Sequence, residues 1–344
     1  MSDDHIALSR EVSEALASNQ AVVTLESTVI AQGLPWPANF ETALAVHAAV
    51  RGVGVAPATI AVLDGSVRIG LTESELLEIA SSAPQLPEIR DGGNRPHLAD
   101  GRARHPLTKA NRRDLGAVVA RRGSAAMTVS ATLWVAGRFG LNPRVLATGG
   151  LGGVHRGAAI TFDVSTDLDE LARADGALIV CSGFKSILDV PATLEALETR
   201  GVLVVGYCTD ELPGFLSHST GLPLEHRVET PDETAAIVRA HRDLGLPGAI
   251  VLAQPVPADD ALDPDMLQAA LDDALRQANV RRITGKPLTP FLLDSIRQAT
   301  TGQSLRANCA LLVANARLAA EVAALLICPS SKPVSRASQS RERL

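Results

Sequence analysis

The sequence is poor in aromatic side chains: two Trp, one Tyr and six Phe make up only 3% of its 344 residues. So few rings argue against a base-stacking platform for single-stranded nucleic acid. The formal net charge is −6, from 32 Lys and Arg against 38 Asp and Glu, which argues against broad electrostatic binding of nucleic acid. A nucleotide-sized ligand needs only a local cationic pocket, so that class of ligand stays open.

Cysteines are also few, and none of the four belongs to a C-x-x-C pair. We interpret Cys181, Cys208, Cys309 and Cys328 as reduced packing residues, without a zinc site. We expect no apolar run long enough to span a membrane. The first residues, M-S-D-D-H, lack the layout of a signal peptide, so the expected location is the cytoplasm.

Hydrophobic residues, by contrast, make up 46% of the chain. Short Val, Ile and Leu runs separated by Ala-rich segments predict one α/β domain, with a mostly parallel sheet flanked by helices. We predict strands at 21–25, 58–63, 67–69, 144–148, 177–181, 202–207 and 249–253. We predict helices at 9–19, from Asn39 to about Gly52, after Thr72, and at 167–173, 189–200, 231–244, 264–279, 290–301 and 303–327. We divide the chain into an N-terminal helical region (1–20), the main domain (21–328) and a disordered basic tail (329–344).

Residues 81–106 interrupt this pattern. Gly, Pro, Asn and Asp accumulate there with arginines at 90, 95, 102 and 104. A loop this long without its own structure is uncommon in a compact domain, so we predict a mobile insertion. Two interpretations stay open: a plain solvated insertion, or a lid whose arginines fold over a phosphate.

Lys185 follows the apolar run 177–181 after only three residues. A lysine just beyond the carboxyl end of a buried strand lies where open α/β sheets bind their ligands. Burial there would disfavour the ammonium form and make the amine a nucleophile for carbonyl carbons. The alternative is a surface lysine whose stem covers apolar surface while its amine stays in water.

A glycine-rich stretch, A-T-G-G-L-G-G-V-H-R-G, occupies residues 147–157. Four glycines within five positions predict a backbone that approaches a ligand closely and visits positive φ. We expect its successive free amides to form a nest for phosphate or another anion. His155 and Asp163 follow as candidate metal ligands or bases, and Asp167 comes four residues after Asp163. The alternative is a flexible loop that leads to a helix-capping Ser or Asp.

These segments resemble the pseudouridine-5′-phosphate glycosidase family. The resemblance runs in the family's order from about Ala21 to about Leu326, and the combination is far more specific than any single motif. The matching segments are L-E-S-T-V-I at 25–30, P-A-T-I-A-V-L-D-G at 57–65, K-A-N-R-R-D-L at 109–115, A-T-G-G-L-G-G-V-H-R-G at 147–157, T-F-D-V-S-T-D-L at 161–168, K-S-I-L-D at 185–189, G-Y-C-T-D-E at 206–211, T-P-F-L-L at 289–293 and N-A-R-L-A at 315–319.

The resemblance implies a homotrimer with an α/β core. It implies reversible cleavage of the C–C glycosidic bond of pseudouridine 5′-phosphate, which yields uracil and ribose 5-phosphate. It further implies a divalent cation, usually Mn²⁺. The expected partners are therefore small molecules, with neither nucleic acid nor a membrane among them.

By the same resemblance, Lys185 forms an imine with C1′ of the ring-opened sugar, Glu26 donates a proton, and Asp163 binds the metal. Asn308 corresponds to an asparagine at the phosphate site. The substrate-binding positions that the resemblance implies are Lys109, Thr128, Val129, Thr148, His155, Ser165, Thr166, Asp167 and Asn308.

The chain departs from the family pattern at several positions. Met127 replaces one of two threonines, Phe184 replaces a small residue before the lysine, and Ala314 replaces one of two asparagines. We expect Met127 and Phe184 to narrow or reshape the pocket. Two further functions therefore stay open: a C-glycosidase or C–C lyase acting on another sugar phosphate, and a weakened phosphosugar-binding homologue with a regulatory role.

Overall fold

The computed structural model describes residues 5–82, 107–283 and 288–327. Within these ranges, strands β1 to β11 are Ile6–Leu8, Val22–Leu25, Ala56–Leu63, Ser66–Ile69, Thr108–Ala110, Ala125–Met127, Val145–Ala147, Leu178–Cys181, Leu203–Tyr207, Arg227–Val228 and Ile250–Ala253. Helices α1 to α12 are Arg10–Ala17, Ala38–Gly52, Glu73–Ser81, Leu115–Ala120, Val129–Arg138, Ala158–Thr161, Thr166–Leu171, Val190–Thr199, Pro231–Asp243, Pro264–Val280, Leu288–Ala299 and Gln303–Ile327.

One mostly parallel sheet organises the fold, which confirms the predicted class. Its strand order is β1-β4-β3-β2-β7-β8-β11-β9-β10, and β6 and β5 branch from β3. Only the β3–β4 and β3–β6 pairs are antiparallel. The strands β2, β7, β8 and β11 are buried throughout because helices cover both faces, and this explains their continuous apolar runs.

Helix ends follow the local sequence closely. Thr72 accepts a hydrogen bond from the Glu75 amide, while the Glu75 carboxylate accepts one from the Thr72 amide, so the predicted capping box is confirmed. Asp189 caps α8 in a similar way, with a proline in the first turn. These caps satisfy amides that have no partner within the helix.

Several elements escaped prediction. The N-terminal region holds strand β1, which pairs with β4, as well as helix α1. Strands β5 and β6 have only three residues each, too few for an alternating pattern to emerge. Ser81 and Ser82 end helix α3, and the rest of the predicted insertion 81–106 lies outside the described residues, as does the predicted tail 329–344.

Helix α12 corrects one expectation about hydrophobic runs. By length and composition alone, this 25-residue helix could cross a membrane. Half of its most apolar window is nevertheless buried, and it packs on α2, α9 and strands β2, β7 and β8. A core helix passes the same test, so α12 alone is weak evidence for a membrane span.

Candidate active site

The predicted site residues gather where the chain reverses its direction across the sheet. From β2 the chain continues to β3 on one side, whereas β7 lies on the other side and continues to β8. Glu26 follows β2, Thr148 follows β7, and Lys185 comes shortly after β8. Parallel strands present their carboxyl ends at one edge, and ligands in open α/β sheets bind at such a switch point.

A second group of strands closes one side of this edge. Leu25 at the end of β2 is opposite Thr59, so β3 continues four residues further, to Leu63. Strand β6 pairs antiparallel with this extension and returns toward Glu26. The Ser27 amide donates to the Met127 carbonyl at 3.2 Å, which fixes the end of β6 beside the end of β2.

Two adjoining cavities occupy the edge of the sheet. The larger has a volume of about 370 Å³, the smaller about 50 Å³, and Glu26, Lys109 and Lys185 line both. The predicted residues on the larger cavity are Glu26, Lys109, Thr128, Val129, His155, Asp163, Ser165, Thr166, Asp167 and Lys185. The other two, Thr148 and Asn308, line the smaller one. The structure therefore brings every predicted site residue to one place.

Glu26 is held by hydroxyl groups. Its side chain is only 6% exposed. The Thr148 hydroxyl donates to one carboxylate oxygen at 2.7 Å, and the Thr28 hydroxyl donates to the other. A buried carboxylate needs such partners, and these two fix its orientation toward the cavity.

Lys185 leaves the sheet through a tight turn. Gly183 has a φ of +84°, a conformation that glycine adopts readily, and the turn directs Phe184 into the core, where it is 1% exposed. The Lys185 amide then donates to the Leu151 carbonyl at 3.1 Å. The half-buried lysine side chain thereby reaches both cavities from a fixed backbone.

Three amides of the glycine-rich loop are used by hydrogen bonds within the protein. The Leu151, Gly152 and Val154 amides all donate within the protein, to Gly183, Asp167 and Thr193 respectively, so they are not free. Gly152 has a different role, because a Cβ there would lie 2.8 Å from the Asp167 carboxylate. Glycine is needed for close packing at this position, and the anion nest stays a prediction for the other loop amides.

The first turns of α5 and α7 meet at the wall of the larger cavity. Asp167 is 5% exposed, and its carboxylate accepts hydrogen bonds from the Ser130 amide at 3.0 Å and the Gly152 amide at 3.1 Å. The Ser130 and Thr166 hydroxyls lie 3.1 Å apart. Ser165, rather than Asp167, caps α7. Asp167 therefore connects the N-terminal ends of α5 and α7 with the glycine-rich loop. The Ser130 and Thr166 hydroxyls lie at the same junction.

The turn after β5 completes this wall and was not identified as part of the site. The Asn111 side chain accepts from the Arg113 amide at 3.1 Å, and both residues line the larger cavity. Arg112 pairs with the buried Glu170 of α7 at 3.1 Å. The signal lay in the stretch K-A-N-R-R-D-L, where Asn followed three residues later by Asp is typical of a capping box.

His155 and Asp163 lie together on the opposite part of the wall. The His155 amide donates to the Asp163 carbonyl at 3.0 Å. Burial lowers the pKa of His155; Asp163 opposes this, while Lys185 and Lys109 lower that pKa further. These effects favour a neutral imidazole near pH 7, able to donate or accept a hydrogen bond.

The donor set fits only a water-rich cation site. Among the residues that the structure describes, no group of three or more His, Cys, Asp or Glu side chains is arranged to hold a metal. Asp163 supplies one carboxylate on the cavity wall. Hard ions such as Mg²⁺ and Mn²⁺ prefer oxygen ligands, and Mg²⁺ in particular binds through one or two carboxylates with several waters. Asp163 is therefore compatible with such an ion.

Two expected modifiers of the pocket lie elsewhere. Met127 is fully buried and Phe184 is 1% exposed; neither lines either cavity. Neither side chain therefore narrows either cavity directly, and the expectation that they reshape the pocket stays a prediction. Both replace smaller residues of the family pattern in the packed interior behind the site.

Comparisons with known proteins agree with this geometry. The model of the family "indigoidine synthase A like protein" matches residues 11–91 and 92–325, and the break falls inside the predicted insertion. Pseudouridine-5′-phosphate glycosidase 2 of Rhizobium johnstonii is 45% identical over 316 residues, which cover 92% of this chain and 94% of that protein. The pseudouridine-5′-phosphate glycosidase of Herpetosiphon aurantiacus is 46% identical, with 93% and 98% covered.

Two solved structures share the fold. The prealnumycin C-glycosynthase AlnA, in complex with ribulose 5-phosphate, has a TM-score of 0.80 and 34% identity. An indigoidine synthase A-like protein of Thermotoga maritima has a TM-score of 0.80 and 32% identity. Each match covers 95% of this chain and 98% of the other.

Proposed function

The chain belongs to the indigoidine synthase A-like family and is an enzyme of the pseudouridine-5′-phosphate glycosidase class, and we propose that it cleaves pseudouridine 5′-phosphate reversibly to uracil and ribose 5-phosphate through an imine on Lys185. One observation carries this proposal: Lys185 and the buried Glu26 line the same two cavities, from the ends of two strands that flank β7. An amine nucleophile and a carboxyl acid thus share one small site.

The bond to be broken explains why both groups are needed. A C–C glycosidic bond has no heteroatom leaving group to protonate, so hydrolysis by two carboxylates fails. The Lys185 amine bonds to C1′ as the bond from C1′ to the ring oxygen breaks, and the proton lost from the nitrogen passes to that oxygen. Glu26 gives a proton to the uracil carbon. The nitrogen electron pair then forms the C=N bond as the C–C bond breaks. Water hydrolyses the imine and releases ribose 5-phosphate.

The phosphate end of the substrate belongs, in this proposal, at the joined helix ends. The N-terminus of α5 favours an anion, and the Thr128 and Thr166 hydroxyls on the wall of the larger cavity can donate to phosphate oxygens. Lys109 supplies a nearby positive charge on the same wall. Anchoring the phosphate there would hold C1′ against Lys185. Asn308 lies away from this end, in the smaller cavity, although its family counterpart suggested the phosphate site.

A divalent cation, Mn²⁺ in the family, is part of the same proposal. Asp163 would hold it through one carboxylate, and the bound ion would supply positive charge for substrate oxygens. We also propose a cytoplasmic homotrimer, on the family resemblance alone.

A second candidate function has one supporting observation. The C-glycosynthase AlnA shares the fold at 34% identity, so related chains include one named for making a different C-glycoside. The identity with the two glycosidases is higher, 45% and 46%, which favours cleavage of pseudouridine 5′-phosphate. The regulatory alternative is disfavoured because Glu26, Lys109, Asp163 and Lys185 remain together on one cavity.

An assay in the direction of synthesis separates these functions. Purified protein is mixed with uracil, ribose 5-phosphate and Mn²⁺, and the product is identified by mass spectrometry. Formation of pseudouridine 5′-phosphate supports the proposal. A product only with another aglycone or sugar phosphate would indicate a different C-glycosidase, and saturable sugar-phosphate binding without any product would indicate a binding protein.

A further inference from the structure

We propose that Asn315 is a positioning residue for this reaction, which ties the strand end that holds Glu26 to the turn that carries Lys185. The inference rests on the proposed function. Asn315 lies on α12, is completely buried and lines neither cavity. It therefore acts through the residues it contacts.

The Asn315 side chain bridges two strand ends. Its amide nitrogen donates to the Thr148 carbonyl at 2.9 Å and to the Ser182 hydroxyl at 3.1 Å. An amide nitrogen has two hydrogens, so both are used. Thr148 follows β7 and Ser182 follows β8, the two neighbouring strands that enter the site.

Each contact leads to one reacting group. Thr148 also donates its hydroxyl to the Glu26 carboxylate at 2.7 Å, so fixing its backbone fixes a partner of the acid. Ser182 begins the turn that ends at Lys185, and its amide donates to the Gly149 carbonyl at 2.7 Å. One side chain thus sets the spacing between the proton donor and the amine.

Replacing Asn315 would have a different effect on the kinetics if its role were packing alone. Asn315 also helps α12 cover the sheet, so its loss should lower stability in any case, because it leaves the Thr148 carbonyl and Ser182 hydroxyl without this partner. Lost packing lowers the amount of folded enzyme. Loss of positioning lowers kcat of the enzyme that is folded, because proton transfer needs Glu26 and the lysine adduct at a fixed distance and orientation.

The test compares Asn315→Leu, which keeps the approximate size, with Thr300→Val. Thr300 is also buried, donates to the Ile296 carbonyl at 2.8 Å and lines neither cavity, so it controls for the loss of a buried hydrogen bond. We expect Asn315→Leu to lower kcat about 10- to 100-fold with KM changed less than about 3-fold. Borohydride trapping of ribose 5-phosphate on Lys185 should persist, and Thr300→Val should keep the wild-type kcat.

A double-mutant cycle with Thr148→Val shows whether Asn315 acts through Thr148. We expect the two losses in kcat to overlap, so that the double variant is less impaired than the product of the single effects predicts. Ser182→Ala provides a milder variant should Asn315→Leu fail to fold, and we expect it to lower kcat in the same way. Wild-type kcat in folded Asn315→Leu, or in Ser182→Ala, would overturn the positioning role. Absence of turnover in the wild-type protein would instead overturn the proposed function.

Discussion

The Thr148 hydroxyl donates a 2.7 Å hydrogen bond to the Glu26 carboxylate, although 122 positions separate the two residues in the chain. The contact joins the ends of the neighbouring strands β2 and β7. With the Thr28 hydroxyl on the other oxygen, it fixes a carboxyl group that is almost fully buried. The orientation of the proposed acid is thus set by its neighbours before any substrate arrives.

Replacing Glu26 with Gln tests its role as the acid. Glutamine keeps the size of the side chain and can still accept the Thr148 hydrogen bond, but it has no acidic proton to give to the substrate. We expect turnover of pseudouridine 5′-phosphate to fall about 10²- to 10⁴-fold, while binding of ribose 5-phosphate survives. Steady-state kinetics and calorimetric titration measure both. Lost sugar binding with an unchanged rate at saturation would make Glu26 a binding group.

Borohydride trapping tests the covalent step at Lys185. With ribose 5-phosphate present, reduction should leave the mass of the sugar phosphate on the peptide that contains Lys185, because the imine becomes a stable amine. Lys185→Ala should remove this mass, and the matched variant Lys109→Ala should keep it when sugar is saturating. A label on Lys109 in the wild-type protein would show that the nucleophile is misassigned.

Removal of divalent ions tests the role of Asp163. Because Asp163 is the residue that we assign to the cation, a chelator should abolish turnover and Mn²⁺ should restore it. Asp163→Asn should weaken this rescue, so that more Mn²⁺ is needed for half-maximal rate. Manganese binding measured by electron paramagnetic resonance gives a readout apart from turnover. Full activity of Asp163→Ala in chelator would contradict the assignment.

Gly152→Ala tests the close packing of the loop. The added Cβ would lie within 2.8 Å of the Asp167 carboxylate, which holds the first turns of α5 and α7 together. We expect KM for the phosphorylated substrate to rise about tenfold or more, since that carboxylate must shift. Gly52→Ala is the matched control, because a Cβ there meets nothing within 4 Å. Equal kinetics in the two variants would refute the packing role.

His47 predicts a dependence of stability on pH. Burial, reinforced by Arg51, lowers the pKa of this histidine from 6.5 to about 4, and its ring lies 2.7 Å from the Thr59 hydroxyl. The unfolded chain takes up a proton near the ordinary pKa, whereas the folded protein does so only below it. The free energy of unfolding should therefore fall by about 2 kcal/mol between about pH 7 and about pH 5.

Urea unfolding of the wild type and His47→Gln at both pH values measures this effect. The substitution removes the titrating group, so the fall in the free energy of unfolding between the two pH values should become smaller by about 2 kcal/mol. His218→Gln changes an exposed histidine and should keep the wild-type slope. Parallel slopes for the wild type and His47→Gln would show that His47 does not carry the effect.

Strong local signals made much of the fold predictable. The buried runs at 177–181 and 249–253 became β8 and β11, and Thr72 with Glu75 formed the expected cap. The short strands β5 and β6 were missed because pairing of β6 with β3 and of β5 with β6, not their own pattern, makes them strands.

The site was predictable in its residues but less so in its contacts. The family resemblance pointed to the residues that meet at one edge. It could not show that three of the loop amides are already used, because hydrogen bonds between distant segments leave no local pattern. The same holds for Asn315, which is an ordinary polar residue in an apolar helix until the fold brings it to Thr148.

Helix α12 is synthesised after the other described elements of the site, so the site is assembled in a fixed order. The ribosome makes this helix after every other element that the structure describes, yet α12 contacts β2, β7 and β8. A chain still under synthesis already carries Lys185 and Glu26, but it lacks the bridge that holds their strand ends in register. On the roles proposed for Lys185 and Asn315, the site becomes competent for chemistry only once α12 has been made.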